Sequence, residues 1–287
     1  MPNDVGSVDI TPEPEYSFSE IGGIKFASAD GYGNPQIVDA ANLIDPKDRE
    51  IVPYVGSGTS DPGIAPQSII GVDERYRILD TTKYPYSAIV HLENSFNACT
   101  GWMVSWDTIV TAGHCIFNRD AQEFASEWRI IPGRSSGNYP FGVYTSSHVT
   151  LTHVDADYII RGTRTYDWGL IKLNAPIGNE TGWFGLLNSE DKNSLGELVS
   201  LTGFPGDYKG VMMSMMGYVT GATPEALCYS IDTMGGQSGS PVYLSTKQVV
   251  AIHAYAVGSL CAAANGAVLI TEDSYHFIIM VALSEYH

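Results

Sequence analysis

Gly-Gly-Gln-Ser-Gly-Ser-Pro at 235–241 sets a serine among glycines, and Thr-Ala-Gly-His-Cys at 111–115 supplies an imidazole far upstream. A serine hydroxyl is a poor nucleophile at neutral pH. Ser238 therefore needs a general base, for which His114 is the candidate, and a pair of donors for the oxyanion that follows attack. Gly235, Gly236 and Gly239 permit the sharp turn that would aim the amides of Gly236 and Ser238 at one point, as an oxyanion hole requires. A third group must orient the histidine. Asp167, in Thr-Tyr-Asp-Trp-Gly-Leu-Ile-Lys-Leu (165–173), precedes an apolar run that reads as a buried strand, so its carboxylate stands at a strand entrance within reach of an imidazole.

The three groups come along the chain in the order His, Asp, Ser, which is the chymotrypsin order and not that of subtilisins or α/β-hydrolases. Alone, a Gly-x-Ser-Gly string is a glycine-rich turn and a histidine beside a cysteine is a packed side chain; the reading rests on their conjunction. Thirty glycines, fifteen prolines and many short Val/Ile/Thr/Tyr-rich runs between turn residues predict mostly β structure. The 287 residues, 44% hydrophobic and 16% charged, are globular in composition and long enough for two domains. No run approaches the eighteen or so apolar residues of a membrane helix, so a soluble chain is expected. A formal net charge of −17 argues against nucleic acid as a partner.

From about residue 68 to the C-terminus the chain resembles the bacterial glutamyl endopeptidases, the staphylococcal and bacillary branch of the chymotrypsin-like serine peptidases. Beside the two motifs above, the likeness is carried by Asp-Thr-Thr-Lys-Tyr-Pro-Tyr-Ser-Ala-Ile-Val-His (80–91), Cys-Thr-Gly-Trp-Met-Val (99–104), Tyr-Asp-Trp-Gly (166–169), Gly-Phe-Pro-Gly-Asp (203–207) and Asn-Gly-Ala-Val (265–268). The resemblance implies an all-β fold of two six-stranded antiparallel barrels, with catalysis at the cleft between them by His114, Asp167 and Ser238 and no metal or organic cofactor. It also implies a disulfide between Cys99 and Cys115 beside the histidine. Cys228, on the strand leading to the nucleophile, and Cys261, on the loop expected to rim the pocket, form either a second bridge or two buried thiols.

Residues 1–67, acidic and rich in Pro, Gly, Asp and Ser, read as a pro-segment, with the resemblance placing a mature start at Ser68. Residues 1–20 show no basic head followed by an apolar core, so secretion rests on the resemblance and the cysteines. The first barrel is expected over 68–176, with strands near 87–93, 100–105, 107–111, 128–132, 147–153 and 168–173. The second occupies 177–287, with strands near 198–204, 210–219, 227–232, 241–244, 249–255 and 266–270 and a C-terminal helix from Thr271. The methionine-rich stretch at 211–219 reads as a core strand, and His153-Val-Asp-Ala-Asp157 as a solvated loop.

Selecting glutamate requires charge or donors in the pocket, because desolvating a bare carboxylate costs several kcal/mol. The resemblance assigns this to His253, to Thr233 and to the free α-amino group of Ser68, so cleavage after Gln67 by an activating protease would convert a latent form into an active one. His253 is expected to be favoured in its charged form by a substrate carboxylate. Where family members usually have glycine, three residues after that histidine, this chain has Ala256. The partners expected are proteins or peptides with Glu before the scissile bond, acting on a monomer with no nucleic acid or membrane. An exfoliative-toxin-like protease of narrow specificity and a non-catalytic peptide-binding relative are the alternatives.

Overall fold

The computed structural model describes residues 69–188, 195–258, 261 and 263–284, together with the backbone of three further strands, Ser17–Ile21, Ile24–Ser28 and Arg49–Ile51. Ser68 and Gln67 lie outside the described residues.

The short β-branched and aromatic runs form strands, since such side chains fit a pleated, half-buried surface. In the first half these are β1 (Tyr76–Ile78), β2 (Ile89–Glu93), β3 (Ala98–Met103), β4 (Thr108–Thr111), β5 (Arg129–Pro132), β6 (Tyr144–Thr145), β7 (Val149–Val154) and β8 (Gly169–Leu173). β2 to β8 make one antiparallel sheet in the order β6-β5-β2-β3-β4-β8-β7. The second half contributes β9 (Leu198–Gly203), β10 (Met213–Ala222), β11 (Ala226–Tyr229), β12 (Pro241–Tyr243), β13 (Gln248–Tyr255) and β14 (Asn265–Leu269).

β10 explains why the second sheet closes. Its N-terminal part pairs with β9, from Met213 opposite Gly203 to Tyr218 opposite Leu198, and its C-terminal part pairs with β11 after a register shift near Gly221. The ring β9-β12-β13-β14-β11-β10 is thus a six-stranded barrel, with β1 added outside β10 and Arg49–Ile51 outside β1. The first sheet is a half-barrel by comparison. The architecture is the mostly β, chymotrypsin-like one that the sequence led us to expect.

Apolar faces of both sheets are removed from water: Trp102, Ile109, Leu170 and Ile171 in the first, and Leu201, Tyr229, Val242 and Ala251 in the second, are fully buried. Phe184, between the halves, packs edge-on to Trp102 at 5.9 Å and against Tyr243 at 5.1 Å, so one aromatic bridges the two sheets. The methionine run does behave as a core strand, with Met212, Met213 and Met215 buried.

The helix α2 (Glu272–Leu283) starts where Thr271 accepts the Ser274 amide, as a capping residue should. It returns to the first sheet, where buried Lys172 pairs with Asp107 at 2.9 Å and donates to the Val281 carbonyl at 2.9 Å. The stretch expected as a solvated loop is different. His153 lies in β7 and stacks on Phe277 of α2 at 4.2 Å, while Asp155 caps a short helix, α1 (Ala156–Arg161), that the sequence did not announce. No helix among the described residues is long and apolar enough to cross a membrane.

Candidate active site

Antiparallel pairing of β4 with β8 sets Thr111 opposite Gly169, so the turn after β4 and the approach to β8 lie at the same end of the sheet. His114 is on that turn and Asp167 on that approach. Asp167 holds the histidine at two points: its Oδ2 lies 2.7 Å from His114 Nδ1, and its Oδ1 accepts the His114 amide at 2.7 Å. Gly113 makes room, because a Cβ there would lie 3.0 Å from Asp167 Oδ1 and 3.0 Å from a Val154 methyl. Burial works to lower the pKa of His114, but the charge and hydrogen bond of Asp167 outweigh it and the net shift is upward. With Nδ1 committed to the carboxylate, Nε2 of a neutral His114 is the nitrogen left to take a proton.

The segment around Ser238 is fastened to the first sheet through Thr100. Its amide donates to the Ser238 carbonyl at 2.9 Å, its hydroxyl donates to the Gly236 carbonyl and accepts the Phe204 amide, each at 2.9 Å, and its carbonyl accepts the Thr111 hydroxyl at 2.7 Å. Cys99 and Cys115 are joined as a disulfide, and the Cys115 sulfur lies 3.7 Å from the Ser238 carbonyl oxygen. Ser238 therefore has its backbone against the residue next to His114. Its hydroxyl makes no hydrogen bond to another described residue. Thr100 was quoted in the sequence only as part of a motif, and its role in joining the halves has no signal in composition or spacing.

Gly236 and Gly239 are required by the backbone. Both have positive φ, 101° and 86°, and a Cβ on Gly239 would lie 2.1 Å from the Thr100 carbonyl oxygen. Gly206 donates to the Gly235 carbonyl at 2.7 Å, and the buried Gln237 side chain accepts the Met234 amide at 2.9 Å. Among the described residues the amides of Gly236 and Ser238 have no acceptor, which leaves both available to an oxyanion.

Thr233 and His253 are both buried on the second barrel. His253 Nδ1 lies 2.6 Å from the hydroxyl of Tyr229, a fully buried neighbour that the sequence reading passed over. Burial, helped by the proximity of His114 and opposed by a backbone hydrogen bond with Gly266, pushes the His253 pKa down to about 3. In the free protein His253 is thus neutral at ordinary pH. Cys228 and Cys261 are joined, which settles the open pairing as a second bridge. Ser68 lies outside the described residues, but the amide of Ile70 donates to Asp232, the neighbour of Thr233, at 2.7 Å.

Comparison with known proteins gives a consistent picture. The sequence signature of the trypsin family matches residues 77–279. The chain is 39% identical over 178 residues to a glutamyl endopeptidase of Bacillus licheniformis, covering 62% of this chain and 55% of that relative's length. It is 36% identical over 231 residues to a Bacillus subtilis protein named an extracellular metalloprotease, covering 72% of each. A solved structure of a Glu endopeptidase superposes with a TM-score of 0.70 at 27% identity, over 75% of this chain and all of that one. The cluster of ligand types found among the described residues, Cys99, His114 and Cys115, has its two sulfurs bonded to each other and His114 Nδ1 held by Asp167, a set that does not suit a resident metal.

Proposed function

The chain belongs to the trypsin family, and from that premise we propose that it is a secreted serine endopeptidase that cleaves peptide bonds after glutamate, and more weakly after aspartate. The observation that carries this reading is the two-point hold of Asp167 on His114, with the Ser238 backbone hydrogen-bonded to Thr100 beside the Cys99–Cys115 bridge. Ser238 Oγ attacks the scissile carbonyl as His114 Nε2 takes its proton, and the amides of Gly236 and Ser238 receive the oxyanion. His114 then returns the proton to the leaving amine, giving an acyl-enzyme that water hydrolyses by the same route. Asp167 keeps the ring in the productive tautomer and stabilises the imidazolium.

Glutamate is selected at Thr233 and His253, with the α-amino group of Ser68 as the third contributor. A substrate carboxylate raises the pKa of His253 from its low value, so binding carries a proton into the pocket. While residues 1–67 remain attached, the ammonium at Ser68 does not exist and the protein is a zymogen awaiting an activating protease. The first half, 68–176, carries base and carboxylate, and the second, 177–287, carries nucleophile and pocket.

Ser238→Ala should lower turnover of a glutamyl peptide by about a millionfold. Labelling of Ser238 by an organophosphonate is the direct check, since a peptide-binding protein without an activated serine does not react. N-terminal sequencing of active material with cleavage-site profiling then reads the start at Ser68 and the acidic preference together. An active preparation that begins elsewhere, or that cuts without regard to acidic residues, refutes those parts.

A further inference from the structure

β1 is joined to the second barrel along one side only, by β10, and its other side is covered by a segment that neither the triad nor the pocket uses. Arg49–Ile51 runs antiparallel along it, with Arg49 opposite Ile78, Glu50 opposite Arg77 and Ile51 opposite Tyr76. The barrel side shows which backbone groups face which way. The Ile78 amide donates to the Met212 carbonyl at 2.9 Å, and Tyr76 stands opposite Ser214. Successive residues of a strand turn their amide and carbonyl to opposite sides, so Tyr76 and Ile78 serve β10 while Arg77 presents its two backbone groups outward. Glu50 stands opposite Arg77 there, and this pair carries the hydrogen bonds of the short ladder.

An open strand edge is a template for any extended chain. A ladder of one hydrogen-bonded pair is nevertheless too weak to retain a free peptide, because each bond replaces one already made to water. A covalent link changes the balance. Residues 52–67, rich in Gly, Ser and Pro, join the strand to the body and raise its local concentration to the order of millimolar. The hold therefore lasts as long as the link does. The two other described strands ahead of it, Ser17–Ile21 and Ile24–Ser28, pair with each other in a separate sheet. A glutamate whose amide and carbonyl are committed to Arg77 cannot at the same time lie extended in a protease cleft, which engages the same backbone groups.

We propose that the outer edge of β1 is a strand-addition site for this chain's own residues 49–51, occupied while 52–67 is intact and vacated when that link is cut, and that its occupancy withholds the Glu50–Ile51 bond from glutamate-specific cleavage. Recognition is through backbone, so the site takes an extended segment and not a particular side chain. The consequence for Glu50 rests on the endopeptidase reading above, whereas the strand site itself does not. On that reading the first productive cut falls within or at the end of 52–67, by another protease, and the bond after Glu50 opens to glutamate-specific cleavage only afterwards.

The test uses the full chain carrying Ser238→Ala, which prevents self-digestion, with a thrombin site placed directly before Ser68. Exchange of single amides is followed by NMR before and after thrombin. The Arg77 amide should exchange at least about tenfold faster after the cut, while the Ile78 amide, which donates to Met212, should stay protected in both forms. Glu50→Pro removes the donor of the pair and should expose the Arg77 amide without any cut, whereas Glu50→Ala keeps the donor and should leave it protected. Both substitutions lie ahead of the body, in residues outside the stretch 77–279 that carries the family signature, so the body's own fold is not at stake. A separately prepared glutamate-specific protease should cut after Glu50 at least about tenfold faster in the severed protein. Equal exchange of the Arg77 amide in intact and severed protein would overturn the proposal, as would protection that survives Glu50→Pro or is lost with Glu50→Ala. Equal cleavage after Glu50 in the two forms would overturn the shielding. None of these readouts needs activity, so a parent protein that no organophosphonate labels would refute the endopeptidase reading separately.

Discussion

Two histidines lie near one another, and their surroundings drive them in opposite directions. Burial acts on both by penalising the charged ring. At His114 the Asp167 carboxylate, 2.7 Å away, reverses that effect and the pKa rises. At His253 the partner at 2.6 Å is the neutral phenol of Tyr229, burial is not compensated, and the pKa drops to about 3. Similar distances with different partners thus give one ring whose protonation is favoured and one whose protonation is opposed. The comparison teaches that the neighbour's charge, more than burial, decides what each histidine can do.

The largest expected effect breaks the first half of this comparison. Asp167→Asn keeps the shape but removes the charge, so the pKa of His114 should no longer stand above its ordinary value, and the ring should lose its preferred tautomer. Turnover should drop by about ten-thousandfold. The acid limb of kcat/KM should move to lower pH, since a base with a lower pKa is deprotonated sooner as pH rises. Steady-state rates between about pH 5 and pH 9 check both, and a loss smaller than tenfold would mean that Asp167 does not orient the base.

This contrast also marks where sequence reading succeeds and where it stops. The barrel strands were legible because β-branched runs between turn residues carry their own periodicity, and the ends expected for β2, β8 and β14 lie within two residues of those observed. Gly236 and Gly239 were legible because only glycine tolerates their backbone and the approach of Thr100. Thr100 and Tyr229 were not legible. Each is an ordinary strand residue by type, and its importance comes from a partner 136 or 24 positions away that only the closed sheets bring near. The low pKa of His253 without a ligand was not legible either, because burial in the second barrel depends on the whole sheet.

A smaller effect is expected from the second half of the comparison. Tyr229→Phe removes the hydroxyl from His253 Nδ1 and leaves that nitrogen buried without its partner. When a glutamate carboxylate draws a proton onto His253, the charged ring then has one acceptor fewer. KM for glutamyl peptides should rise by about tenfold, while turnover of bound substrate changes little because Tyr229 is not held to His114 or Asp167. Equal losses on glutamyl and glutaminyl peptides would show that the phenol supports the pocket's shape and not the histidine's charge.

The smallest effect is also the sharpest for the comparison, because it perturbs no residue. If glutamate binding brings a proton to His253, the preference for glutamyl over glutaminyl peptide must depend on pH, whereas the titration of His114 affects both substrates alike and cancels in the ratio. The free ring titrates near 3, and a bound carboxylate raises that value, so between the two the uptake of a proton favours binding as pH falls. The ratio of kcat/KM values should consequently be several times larger at about pH 5.5 than at about pH 8.5. A ratio constant over that interval would mean that His253 remains neutral with substrate in place and acts as a hydrogen-bond donor alone, leaving the charge for glutamate to be supplied by the chain's N-terminus.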